Sequence, residues 1–145
     1  MKSSTSTSEK RSRPRTEQAY VISAVTALRR LNVPYAWEAA LLGRSVDLAY
    51  LHDDAVCTVE FKKKDWRRAL VQARDHLLGA DFAYICLAEQ APTAELLTAA
   101  HEAGIGVLVF SIGTDWPFEV VMPAARSNET WVVARERLVQ QLKAA

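Results

Sequence analysis

The feature that most constrains this chain is a pair of alternating stretches, residues 46–51 and 56–61, that flank Asp53-Asp54. Short polar residues tolerate the positive backbone angles of a tight turn, so the two stretches read as a β-hairpin centred on that pair. The centre sets the register. Asp47 falls opposite Glu60, cross-strand partners share a sheet face, and Lys62 joins the same face two residues further on. The other face carries Val46, Leu48, Tyr50, Cys57, Val59 and Phe61, all suited to a core. The expectation is a half-buried hairpin with three charged groups clustered at one end.

An Asp on one strand followed by Glu-X-Lys on the next, here Val46-Asp47 and Glu60-Phe61-Lys62, resembles the core of the PD-(D/E)XK nuclease superfamily. Val46 stands where the superfamily name has proline, which its members often lack. Hydrolysis of a phosphodiester needs a hard cation on carboxylate oxygens and an activated water. A lysine beside the carboxylates positions that water and stabilises the developing charge. The resemblance implies that Asp47 and Glu60 hold Mg²⁺ or Mn²⁺, helped by the Phe61 carbonyl, and that Lys62 orients the water. A surface salt bridge between Lys62 and the two acids is the plainer alternative.

At 145 residues, half of them hydrophobic, the chain is expected to form one domain with its own core. No apolar run approaches a membrane span, and the first fifteen residues lack the apolar centre of a signal peptide. Cys57 and Cys86 lie in separate predicted strands without metal-ligand spacing, and the three histidines are scattered. Two reduced thiols in a cytoplasmic protein, without zinc, are expected.

The net charge of +1 hides an asymmetry. Residues 1–15 hold five basic groups and one acid, which leaves thirteen basic and sixteen acidic groups in the remainder. That body is not a uniformly basic nucleic-acid binder. Yet Lys62, Lys63, Lys64, Arg67, Arg68 and Arg74 crowd the segment after Glu60, against only Asp65 and Asp75. Lys63, Lys64, Arg67 and Arg68 are therefore candidate DNA-binding residues, placed where a phosphate backbone would lie. A solvated helix face is the alternative.

Residues 1–15 read as a disordered basic tail and residues 16–145 as a single domain. Tyr20, Ala24, Leu28 and Leu31, with Val21 and Val25 alongside, predict a helix over residues 17–32. A strand follows over 35–42, then a turn at Gly43-Arg44 and the hairpin. Asp65 is expected to cap a helix with Trp66, Ala69, Leu70, Ala73 and Leu77 inward, ending at Gly79. Residues 82–87 form a continuous apolar run suited to a central strand. Pro92 opens a helix that Gly104 closes. Strands over 105–110 and 118–122 follow, the second at an edge. A final helix capped by Asn128 runs to about Lys143, with Trp131, Leu138 and Leu142 inward. This order predicts an α/β fold with a mixed central β-sheet flanked by helices. It matches the αβββαβ core of the restriction-endonuclease-like superfamily over roughly residues 16–110, with a C-terminal strand and helix added. The layout is nearest to small Holliday-junction-resolvase-like or RecB-like nuclease domains.

Three more residues are candidates for the site. Glu17 starts the first helix on its apolar stripe; in archaeal Holliday-junction resolvases a glutamate there completes the metal site, whereas a first-turn acid also simply complements the helix dipole. Gln72 lies on the flank of the helix after Lys62, where several superfamily branches place a catalytic glutamine; an exposed flank residue is the alternative. Glu38 alternates away from Trp37 and Ala39 and faces the cluster, without a template that demands it. Trp66 reads as core rather than as a base-stacking residue, and His76 and His101 as structural or exposed.

The leading expectation is a Mg²⁺-dependent DNA endonuclease selective for structure (junction, end or flap) rather than sequence, as a homodimer or in a larger complex. The alternative is a catalytically inactive nuclease fold that binds DNA or another protein.

Overall fold

The computed structural model describes residues 16–62, 65–88, 91–111 and 113–144. Residues 1–15, the expected tail, lie outside the described residues, as do Lys63 and Lys64. The two aspartates at the hairpin tip both take positive φ, Asp53 at 52° and Asp54 at 64°, between the paired residues His52 and Ala55. That two-residue turn pins β2 (Arg44–His52) against β3 (Ala55–Lys62) in the register that puts Leu48 opposite Val59.

The preceding turn differs from expectation. Leu41 pairs with Arg44, so the turn is Leu42-Gly43, at φ 52° and 78°, and Arg44 already belongs to β2. It joins β1 (Tyr35–Leu41) antiparallel to β2. Downstream come α2 (Trp66–His76), β4 (Phe82–Leu87), α3 (Ala94–Ala103), β5 (Gly106–Phe110), β6 (Phe118–Met122) and α4 (Val132–Ala144); α1 (Glu17–Arg30) precedes the sheet. The six strands lie in sequence order, with β3–β4 and β4–β5 parallel and the other neighbours antiparallel. The parallel pairs need helical crossovers, which α2 and α3 supply.

Apolar stripes place the helices. The side chain of Thr16 caps α1 by accepting the Ala19 N–H at 3.0 Å. Tyr20, Ala24 and Leu28 then bury against Leu48, Val59 and Phe61. Leu31 is not part of that stripe; it ends the helix 37% exposed. On the opposite sheet face, Ala69 and Ala73 of α2 and Leu96 and Ala100 of α3 pack on Ile85 and Val107. There too, Ala134, Leu138 and Leu142 of α4 pack on Ala49 and Val56. The hairpin is therefore buried on both faces rather than half-buried, because Ala49 and Thr58 are small enough to sit beneath helices. Val46 also changes company. It packs with Ala39 and Leu41 under α4, where alternation would have put it with Leu48 under α1. The break falls opposite Glu38, which interrupts β1 at φ 52°.

The helix ends shift too. Thr93, not Pro92, is the N-cap of α3, accepting the Leu96 N–H at 3.2 Å. The Asp65 side chain makes no capping hydrogen bond to α2, which ends at His76 before Gly79. Asn128 caps nothing, since α4 begins at Val132, and Trp131 lies 53% exposed rather than inward.

Candidate active site

At the end of the hairpin remote from its tip, side chains continue what the backbone ladder began. The Asp47 N–H donates to Glu60 Oε2 at 3.1 Å, and the Phe61 N–H donates to Asp47 Oδ2 at 2.9 Å. Each carboxylate is thus held by backbone of the neighbouring strand, one step past the Leu48–Val59 pair. β3 meanwhile runs on beside β4, with Glu60 paired to Ile85 and Lys62 to Leu87, and the Lys62 carbonyl accepts the Ala88 N–H at 3.1 Å. The result is two acids fixed side by side on diverging strands, with Lys62 half-buried at the strand end.

Their electrostatics follow from that crowding. Glu60 is only 2% exposed. Burial, then the Asp47 charge, pushes its carboxyl up to about 7, against the opposing pull of the Asp47 N–H and Lys62. Burial likewise raises Asp47. The Phe61 N–H and Lys62 counter it, while Glu17 and Glu38 add to the rise. The Lys62 ammonium acts on both acids, so the three groups form one electrostatic unit.

Glu17 and Glu38 reach the same place from two other elements. Together with Gln18, Val21, Trp37 and Asp47 they line a cavity of about 410 Å³ between the start of α1 and the stretch of β1 around Glu38. Glu17 comes from the helix's first turn and Glu38 from its positive-φ position. They share the cavity without closing a ligand shell. Among the described residues no three His, Cys, Asp or Glu side chains are gathered so as to hold an ion. The Phe61 ring is buried against Phe118, centroids 6.0 Å apart, and its amide is taken by Asp47.

Gln72 does not lie on an exposed flank. Its Oε1 is buried and has no hydrogen-bond partner among the described residues. One turn on, His76 is 3% exposed, with Nε2 3.8 Å from Glu60 Oε2. Burial holds this imidazole down to about 4, so it is neutral. Thr58, two residues before Glu60 on the same face, is fully buried. The sequence left His76 as either structural or exposed and did not mark Thr58. A signal existed for His76, which stands seven residues after Ala69 and three after Ala73, on the inward stripe.

The basic segment divides. Arg67 bonds Glu95 of α3 at 2.5 Å and lies 4.4 Å over the Trp66 ring, which is itself buried. Arg68 is exposed.

No protein-family model matches the chain, and no curated protein matches it. Two solved structures share part of the chain path. An XisH family protein from Nostoc punctiforme PCC 73102 is 13% identical, with a TM-score of 0.49 over 70% of this chain and 97% of that one. SfsA from Pyrococcus furiosus, solved in complex with Ca²⁺, is 16% identical, with a TM-score of 0.37. That match covers 74% of this chain and 61% of the SfsA chain. Neither likeness carries an activity over.

Proposed function

We propose that this chain is a metal-dependent DNA endonuclease that hydrolyses phosphodiester bonds, built on the PD-(D/E)XK plan. The observation that carries the reading is the reciprocal anchoring of Asp47 and Glu60, each carboxylate on the other strand's N–H, with Lys62 acting on both. The donor set suits a hard cation. Mg²⁺ keeps several of its waters and binds through one or two carboxylates, so a closed shell of three acids is not required. Burial raises both Asp47 and Glu60, and the Asp47 charge raises Glu60 further, so the pair concentrates negative charge that a divalent cation offsets. Asp47 and Glu60 would hold Mg²⁺ or Mn²⁺, with the Phe61 carbonyl and Glu17 as further oxygens and Glu38 at the cavity wall. The bound ion supplies Lewis acidity toward the phosphate and a more acidic water.

The remaining work falls to the chain itself. The Lys62 ammonium orients the attacking water and stabilises the charge growing on the phosphate oxygens. Gln72 holds a water or phosphate oxygen through its amide. Arg68, with Lys63, Lys64 and Arg67, grips the DNA backbone; selectivity for DNA structure, a homodimeric state and a cytoplasmic location belong to the same proposal.

The test is DNA cleavage by the purified chain. Mg²⁺ or Mn²⁺ should support it and EDTA abolish it. Glu60→Gln and Lys62→Ala should each lower the rate by about 10²–10⁴-fold while leaving DNA binding in place. Cleavage that persists in Glu60→Gln would assign the activity elsewhere. A second reading, a non-cleaving DNA-binding or protein-interaction domain, is favoured by one observation. Arg67 is already paired with Glu95 inside the chain, which leaves fewer cations for phosphate. Binding without cleavage on linear, branched and single-stranded DNA would select it.

A further inference from the structure

The interface between α2 and β3 is unusually polar for the underside of a sheet. Thr58 Oγ1, Gln72 Oε1 and His76 Nδ1 are all buried there without a hydrogen-bond partner among the described residues. Thr58 and Glu60 stand two apart on β3, and Gln72 and His76 four apart on α2, so each pair shares one face of its element. The fixed point between the two elements is His76 Nε2, 3.8 Å from Glu60 Oε2. The same Oε2 accepts the Asp47 N–H.

We infer that His76 is a positioning residue: its buried imidazole backs the Glu60 carboxylate and keeps it turned toward Asp47, in the orientation that makes a cation site. The inference rests on the proposed function, and it follows from three constraints. First, the Glu60 carboxylate is buried and lies against the Asp47 amide, and the His76 imidazole of α2 stands 3.8 Å from the same oxygen. Second, 3.8 Å exceeds a hydrogen bond, so the imidazole does not compete with the Asp47 N–H for Oε2 in this state. It sits close enough to accept the carboxylate as a hydrogen-bond partner if Glu60 shifts, and such contacts tighten when a site is filled. Third, an imidazole with an unpartnered buried Nδ1 is an expensive way to fill a helix–sheet interface that a leucine would fill without penalty. Groups that orient metal-binding side chains act in this way: they set the geometry of a ligand without touching the ion.

The test uses the full-length chain and two apolar variants, His76→Leu and His76→Met, with His76→Gln as the polar replacement. The first readout needs no metal: amide hydrogen exchange at Asp47, whose N–H rests on Glu60, and at Phe61, whose N–H rests on Asp47. In the apolar variants Asp47 exchange should accelerate by roughly tenfold, with Phe61 and the rest of β3 unchanged, and His76→Gln should restore protection. The second readout is Mn²⁺ affinity, expected to fall by about 10–100-fold in the apolar variants and to recover in His76→Gln. A merely structural histidine would instead lower protection across α2 and β3 together. Unchanged Asp47 protection in whichever apolar variant folds overturns the inference. If Asp47 responds as expected but the unsubstituted chain binds no Mn²⁺, the positioning stands and the nuclease reading fails.

Discussion

At Glu60 and His76, two buried groups in near contact shift in opposite directions, and the stability of the chain depends on both. Glu60 is raised to about 7, so it favours the folded state where it is protonated. That contribution is complete below the ordinary glutamate value of 4.5 and is lost as pH rises through 7. His76 is lowered from 6.5 to about 4, so it favours the folded state where it is neutral, above 6.5, and that contribution is lost as pH falls toward 4. Between pH 4.5 and 6.5 the two oppose each other, each on the order of 3 kcal/mol. The unsubstituted chain in EDTA should therefore show a nearly level stability there and a decline from pH 6.5 to 7.5. Glu60→Gln keeps an acceptor for the Asp47 N–H and removes the carboxyl titration. Its stability should rise across pH 4.5–6.5 and then hold level, as read from urea unfolding. Profiles that run parallel would place the titrating group elsewhere. The pairing of Asp47 with Glu60 was legible from the sequence, because the two-residue turn at Asp53-Asp54 sets which residues lie opposite each other. The burial of His76 was harder to read, because Arg68 and Gln72 made its side of the helix look solvated.

Among the elements, the fold was legible where a local signal dominated. Strand order followed from apolar runs, and Gly104, at φ 76°, closes α3 as expected of a glycine at a helix end. The misplacements share a cause: tertiary contacts overrode a plausible local motif. Gly43 marked a turn, but Leu42 and Glu38 take positive φ without being glycine, so neither the one-residue offset of that turn nor the irregular backbone at Glu38 opposite Asp47 had a sequence marker. The segment before α4 is set by long-range bonds, not by Asn128. The Ser127 N–H donates to the Asp81 carbonyl at 2.8 Å and the Trp131 N–H to the Leu78 carbonyl at 2.8 Å. Asp81 is the centre of that attachment. Its carboxylate accepts the Val56 N–H at 2.8 Å and the Arg135 guanidinium at 2.9 Å. Although burial works against it, these bonds hold its pKa below the usual carboxylate range. Asp81→Asn should destabilise the chain by about 2 kcal/mol, since it weakens charged hydrogen bonds that tie α4 to β3 and β4. Thermal unfolding checks this, and a loss no larger than that of an exposed Asp→Asn control would count against the role. At the edge of the sheet, the Gln141 side chain donates to the Ala40 carbonyl and accepts the Ala40 N–H, both at 2.8 Å. Gln141→Ala should release those groups and promote self-association of β1, measurable by light scattering.

For the whole molecule, the arrangement of charge predicts how DNA would be held. No described helix is long and apolar enough to cross a membrane. Arg67 is engaged with Glu95 and Trp66, whereas Arg68 is exposed. Arg68→Glu should weaken binding to all sequences alike and flatten the slope of log affinity against log salt by about one, and Arg67→Glu should do less. Equal slopes in Arg68→Glu and the unsubstituted chain would move the DNA to another face. The proposed nuclease depends on something more local, that Asp47 and Glu60 together would form one cation site. It is tested most directly by calorimetric titration of Mn²⁺ into the full chain and into the Asp47→Asn, Glu60→Gln double variant. Saturable binding that releases protons near pH 6.5 is expected, because Glu60 must give up its proton to the ion, and so is its loss in a double variant that keeps its circular dichroism spectrum. Mn²⁺ binding of undiminished affinity in the folded double variant, or none in the unsubstituted chain, would contradict it.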